Sequence, residues 1–576
     1  MSATEASDHL RRVCGTCALA FLLGTVLLAI GEARGGAREV IGGALVLLPF
    51  VLYAAVGIVS SASDLSDFKL ARRRIPAAFA GIAGASAWAG AALLIGAPTS
   101  LFLAGYDGRP LLIGLAGGYV LLGVLIGPFL RNAAARTLPD FVGMRYGSFA
   151  RLLAAIVVVF CSLMFSAALL EAGAAIISRM LAVDADIAIS VLAAVLLVCT
   201  LPGGMAGLTA SQVAQYAVLL IGSLAAFLLF TARPYDAAAG APYDALARAV
   251  ETVLQGLGLA PARSPRSIPF HPGQTLENLE ITLCLMTGTA ALPHVIMPAL
   301  STGSMGQARA SAAWTLVFIA ILAFTLPTYM TLASTGADRE QTGIMSGLLA
   351  AVSLAAMLAG SSASALALAN SLEHDLCGRL TRQSQTPQRP LIRVRSLLVI
   401  AVLVAWALAS YGATYAAFEP ARLLAWTFSL AAAGLFPVLV LGIWWTRTTT
   451  AGAIAVITSG FGISLFYLLV TRYFPQAGVV QFGMWPLADP ANGLPLVDAA
   501  EALSHPQWLD DVPASAANPL ASRIGWFNVS NTACGIFGLI AGFAITAGVS
   551  FLGKEPSARK REQVEALRLP GGPPPL

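Results

Sequence analysis

The chain has 576 residues, of which 57% are hydrophobic and only 11% charged, with a mean hydropathy of +0.78. That composition excludes an ordinary soluble domain. The net charge of +5, spread over many loops without interleaved aromatics, argues against nucleic acid as a partner. Apolar runs of about 20 residues, long enough to cross roughly 30 Å of hydrocarbon, predict an all-α polytopic membrane protein embedded in a lipid bilayer.

In chain order, hydropathy predicts spans at 14–31, 41–61, 76–105, 111–130, 152–180, 187–203 and 211–231. A second group follows at 273–302, 309–333, 343–372, 396–416, 421–445, 450–471 and 526–552, about 14 transmembrane helices in all. The first run follows Arg11 and Arg12 and ends in GEARGGA, a pattern shared with signal sequences; a retained helix is the expectation. With the N-terminus inside, Arg11, Arg12, the KLARRR run at 69–74, Arg131, Arg136, Arg145, the cluster from Arg379 to Arg395 and the ARKRE tail all fall on one side. This predicts cytoplasmic N- and C-termini in a bacterial inner (plasma) membrane. Two outer loops, 232–272 and 473–525, are rich in Pro, Ala and Asp, and Leu246, Val250, Val253, Leu254 and Leu257 have the spacing of an amphipathic cap. The tail after 552 is short, basic and proline-rich, and is expected to be solvated.

Two spans carry helix breakers. The third contains Gly81, Gly84, Gly90, Gly96 and Pro98, and the eighth packs Thr287, Gly288, Thr289, Pro293 and His294 into eight residues. A helix can lose its internal hydrogen bonds in a bilayer only where protein, water or a solute meets the freed groups. Two interrupted helices of opposite direction are the trace of an inverted repeat with a solute site at the midplane, although glycine also serves plain helix packing. A half-helix N-terminus can hold a carboxylate without a buried arginine, which suits a small organic anion.

These residues resemble the sodium:solute symporter family, in its acetate-permease-like branch. The resemblance rests on GTAALPHVIM (288–297), PGGMAGLTASQVAQYAVLL (202–220), LARRRIPAAFAGIAGASAWAG (70–90), AGYDG (104–108), LPDFVGMRYG (138–147) and LEHDL (372–376), collinear over roughly 41–552. It implies a leucine-transporter-like five-plus-five inverted repeat with additional peripheral helices. It also implies alternating access and symport of a small monocarboxylate, such as acetate, with a monovalent cation, sodium or proton, and no other cofactor. On this reading 1–40 is an extra N-terminal helix, 41–552 the transport domain and 553–576 a tail. A small membrane partner is left open.

Carried over by position, the resemblance implies a solute site around Ser86, Trp88, Gly90, Thr287, Gly288, Thr289 and His294. It implies a cation site at the carbonyls of Ala85, Trp88 and Ala356. The hydroxyls expected at the next ligand positions are replaced by Ala359 and Gly360, and a frequent aspartate by Ala87. Ser361, Ser362 and Ser364 could supply oxygen in a slipped register. A second cation position used by some members aligns with Gln212.

Among ionisable residues, Glu171 lies inside an apolar run; it carries a proton in place of sodium, sits in a hydrated gap near the outer third of the bilayer, or pairs with an arginine such as Arg179. His294 is a proton relay, a solute donor or a core histidine that serves the break. His374 beside Asp375 reads as a helix terminator near a gate, and Asp107 as turn chemistry. The cysteines, including Cys161, Cys199, Cys284 and Cys534, mostly occupy apolar runs and imply no disulfides; a redox role for the Cys14–Cys17 pair lacks its usual context. No HExxH, GxSxG or GxxxxGK motif is present, so neither a catalytic residue, a resident metal nor ATP is expected. A transporter-derived solute sensor, or a degenerate member without coupling, is the alternative.

Overall fold

The computed structural model describes residues 3–62, 64–96, 109–231, 272–334, 343–377, 388–415, 419–487 and 524–569. The chain opens with α1 (Ala3–Ala33), α2 (Arg38–Val59) and a short α3 (Leu65–Leu70). Five spans follow. They are α4 (Ala77–Gly96), α5 (Arg109–Leu121) continued through a π-helical turn into α6 (Gly127–Asn132), α8 (Ser148–Leu181), α9 (Ala185–Thr200) and α10 (Gly204–Thr231), with the short α7 (Leu138–Tyr146) between. Five more comprise α11 (Pro272–Ala291) broken into α12 (Pro293–Leu300), α13 (Met305–Ser334), α14 (Ile344–Ser371), α15 (Gln388–Tyr415), and α16 (Pro420–Gly434) continued as α17 (Phe436–Trp444). The chain closes with α18 (Thr450–Tyr473), α19 (Pro475–Phe482), α20 (Gly535–Leu552) and α21 (Ala558–Leu567). Trp485–Pro486 and Ile524–Gly525 form a two-residue antiparallel pairing.

Among the described residues, twelve helices are long and apolar enough to cross a membrane, and the bent pair Leu279–Ala291 and Pro293–Leu300 adds a thirteenth. The 16-residue α9, apolar but shorter, occupies the remaining predicted position and makes fourteen.

The two sets of five pack with matching partners. The first helix of each set lies against the second of the other: α4 on α13, and α11 on α5. The fifth helix of each packs on the third of the other, α10 on α14 and α16 on α8, while the two third helices, α8 and α14, pack on each other. Glycine makes both cross-set contacts close. A Cβ on Gly81 would lie 2.5 Å from Trp314 Cβ, and one on Gly118 would lie 2.4 Å from Thr289 Cβ. Backbones approach this closely in lipid because dispersion contact, rather than water exclusion, holds such helices together. Opposite direction is fixed at one face, where the Ile75 N–H, just before α4, donates to Ser301 O, just after α12, at 3.2 Å.

The break in the eighth span has a local cause. Leu292 precedes a proline, which pushes it out of helical backbone; it takes φ −69° and ψ 134°, and the halves meet at 44°. The third span departs from expectation. α4 is continuous from Ala77 to Gly96, so Gly81, Gly84 and Gly90 are packing positions and not interruptions; Pro98 and Asp107 lie outside the described residues, as does the proposed cap at 246–257. The expected solvated tail is also corrected. α21 buries Val564 and Leu567 completely, Asn132 Nδ2 donates to Leu567 O at 2.8 Å, and Arg568 donates to the carbonyls of Ile443 and Trp444.

A Cβ on Gly288 would fall 2.2 Å from the carbonyl oxygen of Phe428, whereas nothing lies within 4 Å of one on Gly462. Overpacking of this kind costs about 1–3 kcal/mol or more. Gly288→Val should therefore lower the thermal midpoint of the detergent-purified protein by several degrees, with Gly462→Val unchanged; equal midpoints would show that α11 and α16 are not held this closely.

Candidate functional site

The predicted site residues fall into a central crossing and several outlying positions. At the centre, α4 and α14 touch through their backbones. A Cβ on Gly90 would stand 2.6 Å from Ala356 O, and one on Gly360 would stand 3.4 Å from Ala87 O and 2.5 Å from Leu169 of α8. Phe165 of α8 reaches the same point, 3.4 Å from that Gly360 position, and its ring lies 4.2 Å from the His294 ring. Phe428 of α16 approaches Phe165 at 6.0 Å. The crossing thus gathers Gly90, Ala356, Gly360 and His294 beside Ala87.

Several polar atoms there are buried without a partner. They include His294 Nδ1, Ser86 Oγ and Trp88 Nε1, and on α10 Ser211 Oγ, Gln212 Oε1 and both amide atoms of Gln215. Buried polar atoms are ordinarily hydrogen-bonded, so these are groups with capacity for a further partner. The α10 group was legible as ASQVAQY, polar residues three apart in an apolar run, yet Gln215 and Ser211 were missed for want of a known role. Phe165 and Phe428 were missed because aromatic residues in an apolar span carry no local mark.

The expected cation positions are occupied in an unusual way. Ala85 and Ala356 are fully buried and Trp88 nearly so. Gln212 Nε2 donates to Ala359 O at 3.3 Å, so an amide serves a carbonyl beside the cation position. Ser361 Oγ donates to Met357 O at 2.8 Å and Ser362 Oγ to Leu358 O, both within α14, while Ser364 Oγ donates to Ser162 O.

Other predicted residues lie apart. Thr287 Oγ1 donates to Leu283 O of its own helix at 2.6 Å. The Thr289 side chain packs on Gly118 in the α5–α11 seam, with its Oγ1 unpartnered. Glu171 is buried and presses on Gly412 of α15, where a Cβ would sit 2.6 Å from Oε2; that oxygen has no hydrogen-bond partner.

One face of the bundle, which carries Lys69, Arg73 and Arg151 and is called the basic face below, holds a buried ionic network. Lys69 Nζ bonds Glu373, which Arg393 holds from the other side. Arg151 bridges Asp375 at 2.6 Å and Asp140 at 3.2 Å, and Thr137 and Ser371 both donate to Asp375. His374 Nε2 lies 3.3 Å from Asp140 Oδ1, within ion-pair reach though not aligned as a hydrogen bond. These contacts tie α3, α7, α8 and α15 to the end of α14, where a π-helical turn at Leu372–Cys377 presents the acids. Burial depresses the Lys69 ammonium, and Glu373 restores only part of that. Burial alone would raise Asp140, but the close contact with His374, the Arg136 N–H and the Arg151 charge hold it down at about 2.

The model of the sodium:solute symporter family matches residues 68–335 and 341–460. The chain belongs to the sodium:solute symporter family. It is accordingly a cation-coupled solute transporter of the membrane, and its family is one of transporters and not of enzymes. An uncharacterised symporter of Cupriavidus necator is 27% identical over 79% of this chain and 90% of its own length. A monocarboxylic acid transporter of Corynebacterium glutamicum is 26% identical over 78% of this chain and 87% of its own. Among solved structures, a Na+-coupled sialic acid symporter in a substrate-bound outward-open state superposes with a TM-score of 0.64 at 13% identity, covering 90% of this chain and 99% of that one. The fold is therefore leucine-transporter-like, two inverted sets of five with peripheral helices. In this symporter α4 and α14 cross with their backbones in contact, and the side chains at Ala359 and Gly360 offer no oxygen.

The low value of Asp140 fixes the sign of one pH effect. A carboxyl depressed in the folded state stabilises it above the unfolded value, and that contribution is lost as pH falls through the folded value. Between about pH 4 and pH 2 the loss should reach about 2 kcal/mol. Asp140→Asn should flatten this part of the acid limb in detergent unfolding; an unaltered limb would mean that Asp140 is not ion-paired.

Proposed function

We propose that this symporter imports a small monocarboxylate such as acetate across a bacterial inner membrane, with both termini cytoplasmic, and that its coupling ion is the proton. The break at Leu292 carries the solute reading. α12 starts at Pro293 with its N-terminal peptide groups inside the span, and His294 stands there with an unpartnered ring nitrogen beside Phe165. A helix N-terminus attracts an anion, and the aromatic side chains of Phe165 and Phe428 suit a short alkyl group. The name of the Corynebacterium relative agrees with this class.

Two observations favour the proton over sodium. The Gln212 amide donates to Ala359 O, beside the family's cation position, and two hydroxyl ligands are replaced there by Ala359 and Gly360. A hard cation that loses oxygen ligands loses binding energy with each. Glu171, buried in α8 with a free oxygen against Gly412, is an acid that a proton can neutralise at depth. It lies 20 residues, about 30 Å of helix, beyond Arg151 and thus toward the face opposite the basic one.

Acetate uptake into proteoliposomes, driven by a proton gradient, a sodium gradient or neither, tests the proposal. Accumulation should follow the proton gradient alone. Glu171→Gln should reduce gradient-driven accumulation at least tenfold while leaving acetate exchange at zero gradient within about twofold. Sodium-driven uptake would reject the proton, and uptake blind to both gradients would reject symport of this solute.

A further inference from the structure

On the basic face Lys69 is only 5% exposed and shares the carboxylate of Glu373 with Arg393. A buried ammonium is costly unless an anion meets it. Over Lys69 opens a cavity of about 740 Å³, whose lining includes Lys69, Arg72, Arg73 and Arg136 against the single carboxylate of Asp64. Asp64 is already engaged by Arg72 and by the Asp67 N–H. Among the described residues, the Arg73 guanidinium donates to the carbonyls of Ala134 and Ala135, and the Arg136 guanidinium makes no hydrogen bond or ion pair. The nearby acids do not offset this, since Arg393 holds Glu373 and Arg151 holds Asp140 and Asp375.

The cavity also lies close to the helix that follows the break. Asn370 Nδ2 stands 3.4 Å from Lys69 O and 3.7 Å from Met297 Sδ, so the floor formed by Lys69 is one side chain away from α12. The chain above it holds three successive residues in left-handed backbone, Ala71 at φ 48°, Arg72 at 50° and Arg73 at 57°. Non-glycine residues held there are strained and mark functional segments. Here the run sends Arg72 to Asp64 and Arg73 to the end of α6, while Lys69 points inward.

We propose that Lys69 is a second carboxylate site on the basic face, where the departing solute displaces Glu373 from the ammonium while Arg393 retains Glu373. This rests on the monocarboxylate reading above, and it assigns Lys69 a binding role that a simple latch would not have. The two roles differ in sign. Loss of Lys69 should weaken carboxylate binding from this face, whereas neutralising Glu373 should strengthen it by freeing the ammonium; a latch would respond to either loss in the same direction.

The test is acetate exchange by the full chain in proteoliposomes of known sidedness. Lys69→Met should raise the KM at the basic face at least tenfold, Glu373→Gln should lower it severalfold, and Lys69→Arg should restore it, with the KM at the opposite face constant within about twofold. Shifts of Lys69→Met and Glu373→Gln in one direction, or shifts equal at both faces, would overturn the site. If Lys69→Met fails to fold, the Glu373→Gln and Lys69→Arg arms decide. A second readout needs no transport: acetate should slow the reaction of Lys69 with an amine-acylating reagent in Glu373→Gln, measured by peptide mass spectrometry. No protection would overturn the proposal. Absence of acetate exchange in the unaltered chain, with protection intact, would instead reject the transport reading and keep the site.

Discussion

Within hydrocarbon every peptide group must find a partner, and this requirement organises the molecule. It forces nearly all of the described chain into helices, and it makes the sharp break at Leu292 conspicuous. Proline after Leu292 removes a donor and an angle from the helix at once. Around that point the other elements supply what a continuous helix would have supplied itself: His294 from the restarted helix, aromatic rings from α8 and α16, and the bare backbone crossing of α4 with α14.

The crossing and the basic face divide the labour between intimacy and charge. At the crossing, small residues bring two backbones together, with the carbonyl oxygens of Ala87 and Ala356 at the contact. At the basic face, long side chains from sequence-distant helices meet in a buried ionic cluster. Ion pairs buried in this way contribute little net stability against apolar replacements, but they are costly to break one partner at a time. They therefore suit a junction that has two states, shut with these ion pairs made or open with their members hydrated.

Much of the fold could be read from the sequence, because span length and hydropathy report directly on the bilayer. The break at Leu292–Pro293 was visible for the same reason: proline chemistry is local. The third span misled because glycine has two meanings in membrane helices, and Gly81, Gly84 and Gly90 serve close packing against α13 and α14. The tail misled through its charge; composition does not show that Val564 and Leu567 share one helical face. In the site, His294 and Ala356 could be placed by resemblance, whereas Phe165, Phe428 and Gln215 depend on which helices cross, and that is set by packing across the two repeats. Lys69 was visible only as part of a run of positive charge. That it turns inward while its arginine neighbours turn outward follows from backbone angles, which the letters do not announce.

The docked C-terminal helix has a mechanical consequence. It grips Asn132 at the end of α6 through the Leu567 carbonyl and the ends of α17 through Arg568, and Trp444 itself donates to Leu125 O across the same gap. A clasp thereby joins the second member of one five-helix set to the fifth of the other. Separating these two helices would require this clasp to open first.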